Sequence, residues 1–209
     1  DWINHGGHFV GTSHNRESLQ DPHGAAADRD AMSSGWFVPT MPDLNQRNPL
    51  LATYLIQNSL WWIEYAGLTG LRVDTWPYSD KDFLVEWTRR VMAEYPALNI
   101  IGEEWSSDPA IVSYWQRGKS RTDGYISQLP SLMDFPLQDA AVRAFGEEEG
   151  RATGLIRIYR ALADDSLYAD PYNLVVFPDN HDMSRILTQL GGQPELDRMA
   201  TTFFLTTRG

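Results

Sequence analysis

The chain has 209 residues, a net charge of −11 and no cysteine, which allows one sizeable folded domain and rules out disulfides and thiol chemistry. The acidic balance argues against a nucleic-acid partner, because phosphate binding requires clustered Lys and Arg. No apolar run is long enough for a transmembrane helix, so we expect no membrane partner either.

The first 45 residues differ in character from the rest. The segment from His8 to Met32 is rich in Gly, Asp, Ser, His and Asn and shows little periodicity. This pattern predicts an irregular excursion that ends near Met41-Pro42-Asp43. We therefore predict an irregular part at 1–45 and an ordered part at 46–209. The N-terminal residues do not have the pattern of a signal peptide, and the compartment stays unassigned.

From residue 48 onward, helical and strand patterns alternate. Asn48 and Pro49 are a typical helix start, Gly67 is a typical helix end, and apolar residues recur between them at helical spacing. The other predicted elements are a strand at 70–74, a helix from a capping box at 79–82 to Pro96, a strand at 98–102, a helix at 109–116, a strand near 124–126 or 132–135, a helix at 154–167, a strand at 174–177 and a last strand at 201–207. Such alternation is typical of an α/β fold with parallel strands.

Chemistry in such folds lies at the C-terminal ends of the strands, and three predicted strands end in carboxylates. The first ends in Arg72-Val73-Asp74. Alternate residues share a face of a strand, so Arg72 lies beside Asp74. An arginine keeps a neighbouring carboxylate ionised, which suits a nucleophile. The alternative is an ion pair with a structural role.

The second such strand ends in Gly102-Glu103-Glu104-Trp105. Adjacent glutamates point to opposite faces, so only one of them can face a site. A carboxyl group beside an apolar strand and a tryptophan can have a raised pKa and act as a general acid. The alternative is a pair of solvated loop residues.

The third ends in Phe177-Pro178-Asp179-Asn180-His181-Asp182. A run of four polar residues directly after β-branched residues is unusual in a hydrophobic core. The alternative is a turn followed by a helix that Asp182 caps.

These motifs resemble those of the α-amylase superfamily, glycoside hydrolase family 13. Gly70 to Asp74 is similar to its fourth-strand motif, Gly102-Glu103-Glu104-Trp105 to its fifth-strand motif and 177–182 to its seventh-strand motif. Met41-Pro42-Asp43-Leu44-Asn45 resembles the motif near the end of the family's domain B, in the form of the neopullulanase and cyclomaltodextrinase branch. The resemblance implies a partial (β/α)₈ TIM barrel, with about strands 4 to 8 in residues 46–209 and the tail of domain B in residues 1–45.

The chain departs from the family pattern in two places. The family's first motif, at the third strand, is missing, although Asp1-Trp2-Ile3-Asn4-His5 imitates it. The fourth-strand motif continues as Trp76-Pro77-Tyr78, where many members place Lys-His. Because a barrel of eight strands needs about 250 residues, we expect this chain to be a piece of a larger enzyme.

The resemblance implies retaining hydrolysis of α-glucosidic bonds in maltooligosaccharides, cyclodextrins or related α-glucans, with α-1,4 bonds as the first expectation and α-1,6 bonds as the alternative. Asp74 would be the nucleophile, Glu103 the acid/base and Asp182 the residue that assists the transition state. Arg72 would orient Asp74, and His181 would hydrogen-bond the sugar. Sugar contacts are also expected from three aromatic residues that could equally serve packing: Trp76, Tyr78 and Trp105.

No organic cofactor is implied. Calcium is common in the family, but no set of six to eight oxygen ligands can be assembled from this sequence, and no metal residues are assigned. The expected partner is an α-glucan, and the oligomeric state is open. Three alternatives remain: a transglycosylase of the same clan, a catalytically silent sugar-binding or scaffold module, and a metal-dependent barrel enzyme.

Overall fold

The computed structural model describes residues 1–209, which form two compact units. The first unit consists of Asp1–Glu103 and Ser120–Pro130, and the second of Glu104–Lys119 and Ser131–Gly209. The division predicted from composition, 1–45 and 46–209, is a different one and stays a prediction. No helix has both the length and the apolar character that crossing a bilayer requires.

The helices and strands alternate along most of the chain. In order they are α1 (Ala26–Ser33), α2 (Pro49–Ala66), β1 (Gly70–Val73), α3 (Lys81–Glu94), β2 (Asn99–Gly102), α4 (Pro109–Ser113), β3 (Ser131–Met133), α5 (Phe135–Gly146), α6 (Ile156–Ala163), β4 (Leu174–Val175), α7 (Ile186–Gln189) and α8 (Pro194–Thr206). Short 3-10 helices lie between them, two of which follow β1 and α6, at Trp76–Tyr78 and Asp164–Leu167.

In the first unit, β1 and β2 pair in parallel, with Val73 opposite Gly102. Helix α2 packs against α3 and begins as predicted. The Asn48 side chain accepts hydrogen bonds from the first backbone N–H groups, Pro49 occupies the first turn, and Gly67 ends the helix at a φ of 62°. Glycine adopts this left-handed backbone conformation at little cost in free energy, because it has no Cβ.

Helix α3 begins one residue later than the capping box predicted. Its N-cap is Asp80, whose side chain accepts a hydrogen bond from the backbone N–H of Phe83 at 2.9 Å. The helix buries Leu84, Trp87 and Val91. These side chains form the interior face, because they recur at the helical spacing of three to four residues.

In the second unit, β3 and β4 pair in parallel and α5 packs against α6 and α8. An apolar cluster fills the space between these helices: Ala141, Ala144, Ile158 and Phe204. A buried ion pair joins Arg208 to Asp134 at 2.5 Å, and Arg208 also pairs with Asp165. Because Asp134 caps α5, this arginine links the end of the chain to the start of that helix.

Several predicted elements were wrong. The segment 201–207 is not a strand but the end of α8, which begins at Pro194. The strand near 124–126 is absent, and β3 forms at the second of the two predicted places. Helices α1 and α5 were not predicted. The structure therefore contains four strands where five were expected.

Candidate active site

Asp74 and Glu103 directly follow the paired ends of β1 and β2. The backbone N–H of Glu103 donates to the carbonyl oxygen of Val73 at 3.0 Å. The backbone N–H of Trp76 in turn donates to the carbonyl oxygen of Glu103, also at 3.0 Å. The sheet ladder therefore continues beyond both strands, and it holds the two acidic residues at the same edge.

Arg72 forms ion pairs with both carboxylates. One guanidinium nitrogen pairs with Asp74, and Nη2 lies 2.5 Å from Oε1 of Glu103. The side chain of Asp74 is 60% exposed, whereas that of Glu103 is 4% exposed. The two carboxylates therefore share one cation but differ sharply in their access to water.

The second oxygen of Glu103 accepts a hydrogen bond from the backbone N–H of Thr75 at 3.0 Å. Thr75 has φ 43° and ψ 48°, which is the left-handed region. A β-branched residue rarely adopts this conformation, and strained residues of this kind cluster at functional sites. The strain at Thr75 directs its N–H toward the carboxylate.

Burial raises the pKa of the Glu103 carboxyl above its ordinary value of 4.5. The Thr75 N–H and the charge of Arg72 act in the opposite direction, and Asp74 adds to the rise. A raised pKa keeps a carboxyl protonated nearer to neutral pH, as a general acid requires.

Glu104 has a different environment from Glu103. It is fully buried, and its Oε2 accepts a hydrogen bond from Nε1 of Trp115 at 2.8 Å. The alternation along the strand thus separates the two glutamates as predicted. Glu103 contacts the arginine that also holds Asp74.

Trp76 is a core residue and not an exposed sugar contact. Only 1% of it is exposed, and its ring lies 6.4 Å from that of Trp87. A Cβ on Gly102 would stand 3.2 Å from the Trp76 ring and 2.7 Å from Cδ2 of Leu129. Trp76 therefore packs in the core and does not contact sugar, because no face of its ring is open to a ligand.

Tyr78 is half-buried and lies against two other rings. Its hydroxyl is 3.0 Å from Nδ1 of His14, and its ring centroid is 5.1 Å from that of Phe37. Sequence reasoning missed His14 and Phe37, because both lie in the irregular N-terminal part, where no periodicity marks them.

The other predicted site residues, Trp105, His181 and Asp182, belong to the second unit. Trp105 is 41% exposed, and its ring is stacked 4.9 Å from that of Phe135. His181 and Asp182 are exposed, with Nε2 of the histidine 3.2 Å from Oδ2 of the aspartate. Asp182 is thus accessible at the end of its motif.

Asp182 does not cap the helix that follows, whose N-cap residue is Arg185, and the side chain that binds the start of this helix is that of Asp179. Its two oxygens accept hydrogen bonds from Arg185 and from the backbone N–H of Ile186, both at 2.7 Å. The backbone N–H of Asp182 donates to Oδ1 of Asn180 at 2.9 Å. The two aspartates of the motif therefore have different environments. Asp179 binds the turn and the start of the next helix, and the carboxylate of Asp182 is exposed.

The acidic and histidine side chains do not gather into a metal-binding group. No cluster of three or more His, Asp or Glu side chains with suitable geometry occurs among residues 1–209.

The family model of the alpha-amylase catalytic domain matches residues 28–209. A cyclomaltodextrinase of Geobacillus thermopakistaniensis (strain MAS1) is 31% identical over 176 residues, which cover 83% of this chain and 27% of the relative. A cyclomaltodextrin glucanotransferase of Klebsiella oxytoca is 30% identical over 170 residues, which cover 78% of this chain and 24% of the relative. The chain spans about a quarter of the length of these relatives.

Solved structures share the fold. The alpha-amylase of Geobacillus thermoleovorans, in complex with acarbose, matches with a TM-score of 0.73 and 29% identity over 88% of this chain and 40% of that chain. An Anoxybacillus alpha-amylase matches the whole of this chain and 41% of its own, with a TM-score of 0.78 and 24% identity, which bears on the fold alone. The predicted α/β class and partial TIM barrel are confirmed. This chain belongs to the alpha-amylase catalytic-domain family of glycoside hydrolases.

Proposed function

We propose that this chain carries the catalytic carboxylates of a retaining α-glucan hydrolase, with Asp74 as the nucleophile and Glu103 as the acid/base. One observation carries the proposal. A single arginine, Arg72, holds two carboxylates at the ends of adjacent parallel strands, one exposed and one buried. Their environments differ in the way that two roles require, because burial raises the pKa of the Glu103 carboxyl, whereas the Asp74 carboxylate is open to solvent.

The reaction proceeds in two displacements. In the first, the proton of Glu103 passes to the glycosidic oxygen as its bond to the anomeric carbon breaks, and an oxygen of Asp74 bonds to that carbon. In the second, water attacks the anomeric carbon, gives its proton to Glu103 and releases Asp74. Two inversions give net retention, and the general acid contributes about 10²–10⁴ in rate.

The other predicted residues, apart from the enclosed Trp76, assist in this scheme. Arg72 orients Asp74 through their ion pair. Asp182 and His181 bind hydroxyl groups of the sugar that carries the developing charge, and both are accessible. Trp105 and Tyr78 are proposed as ring-stacking residues.

The proposed substrates are maltooligosaccharides, cyclodextrins and related α-glucans. The cyclomaltodextrinase relative supports cyclodextrins as substrates, and the glucanotransferase relative keeps transglycosylation as the alternative. The experiment is to incubate the complete polypeptide that carries residues 1–209 with γ-cyclodextrin, maltoheptaose, pullulan and starch, and to separate the products. Short maltooligosaccharides in the α-anomeric form support the proposal, and longer or rearranged glucans support the transglycosylase.

The control variants are Glu103→Gln, which removes the acid, and Asp139→Asn, which changes a half-exposed carboxylate of α5. Products that persist in Glu103→Gln would contradict the assignment of the acid. Absence of any product from the unmodified protein would instead favour a silent sugar-binding module. Activity that disappears with a chelator and returns with Mg²⁺ would favour the metal-dependent alternative.

A further inference from the structure

Trp76 attaches the turn that follows β1 to the end of β2 in two ways. Its backbone N–H donates to the carbonyl oxygen of Glu103 at 3.0 Å. Its ring lies against the backbone of Gly102, because a Cβ on that glycine would stand 3.2 Å from two ring atoms of Trp76. One residue therefore contacts both the proposed acid/base and the residue before it.

Two other residues of the same turn also bind Glu103. The backbone N–H of Glu103 donates to the carbonyl oxygen of Val73, and its Oε2 accepts a hydrogen bond from the backbone N–H of Thr75, both at 3.0 Å. Together with the bond from Trp76, the turn holds the main chain of Glu103 at two points and its carboxylate at a third. The position of this carboxylate therefore depends on the path of the turn.

Two features that cost stability fall on consecutive residues of this turn. Thr75 has a φ of 43°, which a β-branched residue rarely adopts. Nε1 of Trp76 is buried without a hydrogen-bond partner, and an unpaired buried donor is unfavourable. A phenylalanine would fill a core without such a group. Packing alone therefore does not explain these two residues, whereas costs of this kind gather at functional sites.

The ring of Trp76 is held from several sides. It is 1% exposed, and its centroid lies 6.4 Å from that of Trp87 in α3. Nε1 of Trp87 in turn donates to Oγ of Ser59 in α2 at 2.9 Å. Leu129 is fully buried, and its Cδ2 would stand 2.7 Å from a Cβ on Gly102. The ring is therefore a fixed support for the turn.

We propose that Trp76 is a positioning residue for the acid/base: its buried ring fixes the turn whose backbone N–H groups hold Glu103 in place for proton transfer. This inference rests on the proposed function and adds to it a residue that contacts no sugar. Asp74 is held separately, by its ion pair with Arg72. Loss of the Trp76 ring should therefore impair the step that needs the proton and spare the attack by Asp74.

The test uses two substrates of the complete polypeptide that carries residues 1–209. Both place the same maltosyl group in the site, but the phenoxide of phenyl α-maltoside leaves poorly unless it is protonated, whereas the fluoride of α-maltosyl fluoride needs little help. Trp76→Ala should lower kcat/KM about ten- to a hundredfold on the phenyl substrate, because a displaced catalytic group loses rate on this scale. On the fluoride the change should be less than about twofold, because general acid catalysis contributes little there.

Three further variants separate positioning from stability, with all kinetics measured well below each Tm. Trp76→Phe keeps a ring over Gly102 and should restore most of the activity that Trp76→Ala loses. Trp76→Leu should show the same selective loss to a smaller extent, and it serves where Trp76→Ala does not fold. Val91→Ala removes buried methyl groups near the end of α3. It should lower Tm and leave the ratio of the two kcat/KM values unchanged.

Equal losses on both substrates in the Trp76 variants, or a lowered Tm with both kcat/KM values unchanged, would overturn the positioning role. Either result would leave Trp76 as a residue that only stabilises the fold.

A measurement without turnover keeps this role distinguishable from the reaction. With isotope-labelled threonine, the amide proton of Thr75 should shift in NMR spectra as the pH crosses the pKa of Glu103, since it donates to that carboxylate. Glu103→Gln should abolish the shift, Trp76→Ala should reduce it and Val91→Ala should preserve it. An undiminished shift in Trp76→Ala would overturn the proposal. If the unmodified protein cleaves neither substrate, the proposed function fails, and this titration still decides whether Trp76 holds the carboxylate.

Discussion

Nη2 of Arg72 lies 2.5 Å from Oε1 of Glu103, a carboxylate of which only 4% is exposed. Burial raises the pKa of this carboxyl, and the charge of Arg72 acts against that rise. The same arginine pairs with Asp74, so a change in charge at one carboxylate alters the electrostatic environment of the other.

The stability of the Glu103→Gln variant, compared with that of the unmodified protein, should increase as the pH rises. Burial raises the pKa of Glu103 in the folded protein, so the folded state binds this proton more tightly than the unfolded chain does. The stabilising contribution is complete below the ordinary value of 4.5 and is lost as the pH rises through the folded value. Glutamine does not titrate. The difference in Tm between variant and parent, measured by calorimetry at pH 4 and pH 7.5, should therefore be more positive at pH 7.5.

The same substitution at the neighbouring residues Glu103 and Glu104 tests which of the two is the acid/base. Glu103→Gln removes the proposed proton donor and should lower kcat by about 10²–10⁴ on maltoheptaose. Glu104→Gln keeps an oxygen acceptor for Nε1 of Trp115 and should lower kcat by less than about tenfold, because Glu104 has no part in the proposed proton transfer. Steady-state kinetics on both variants checks the assignment. A larger loss in Glu104→Gln than in Glu103→Gln would reverse it.

Gly102→Ala should destabilise the protein by about 1–3 kcal/mol, because the added methyl group has no space. It would stand 3.2 Å from the rigid ring of Trp76 and 2.7 Å from a methyl group of Leu129. Gly146→Ala is the control, since its added methyl group would meet nothing nearer than 3.8 Å. At this helical position alanine should raise the free energy of unfolding by up to about 1 kcal/mol. Chemical denaturation of both variants measures the contrast, and equal effects would contradict the packing described around Trp76.

Thr75→Gly should stabilise the protein by up to about 1 kcal/mol, because glycine adopts the left-handed conformation without strain. The backbone N–H that donates to Glu103 is retained, so activity should persist. Thr53→Gly, in the exposed part of α2, should instead destabilise by about 0.5 kcal/mol because glycine is a poor helix former. Urea unfolding of both variants gives the signs. Destabilisation by Thr75→Gly would show that the left-handed backbone carries no strain.

Local rules predicted the elements whose boundaries are marked by special residues. Helix α2 begins at Asn48 and Pro49 and ends at Gly67 because the N-cap side chain, the proline ring and the left-handed glycine act within one turn of chain. The segment 201–207 was assigned to the wrong structure, since its Thr- and Phe-rich run favours a strand by local propensity. There the packing of α8 against α5 and α7 decided the outcome.

The sequence by itself determined the family motifs, the carboxylates at the strand ends and the pairing of Arg72 with Asp74, because strand alternation fixes which neighbours share a face. Only the tertiary structure decided that Arg72 also forms an ion pair with Glu103. It likewise decided that Glu104 accepts a hydrogen bond from Trp115 and that Trp76 is buried in the core. It also brought His14 and Phe37 to Tyr78. These contacts join residues far apart in the chain, and burial and close approach between distant segments have no signature in local spacing.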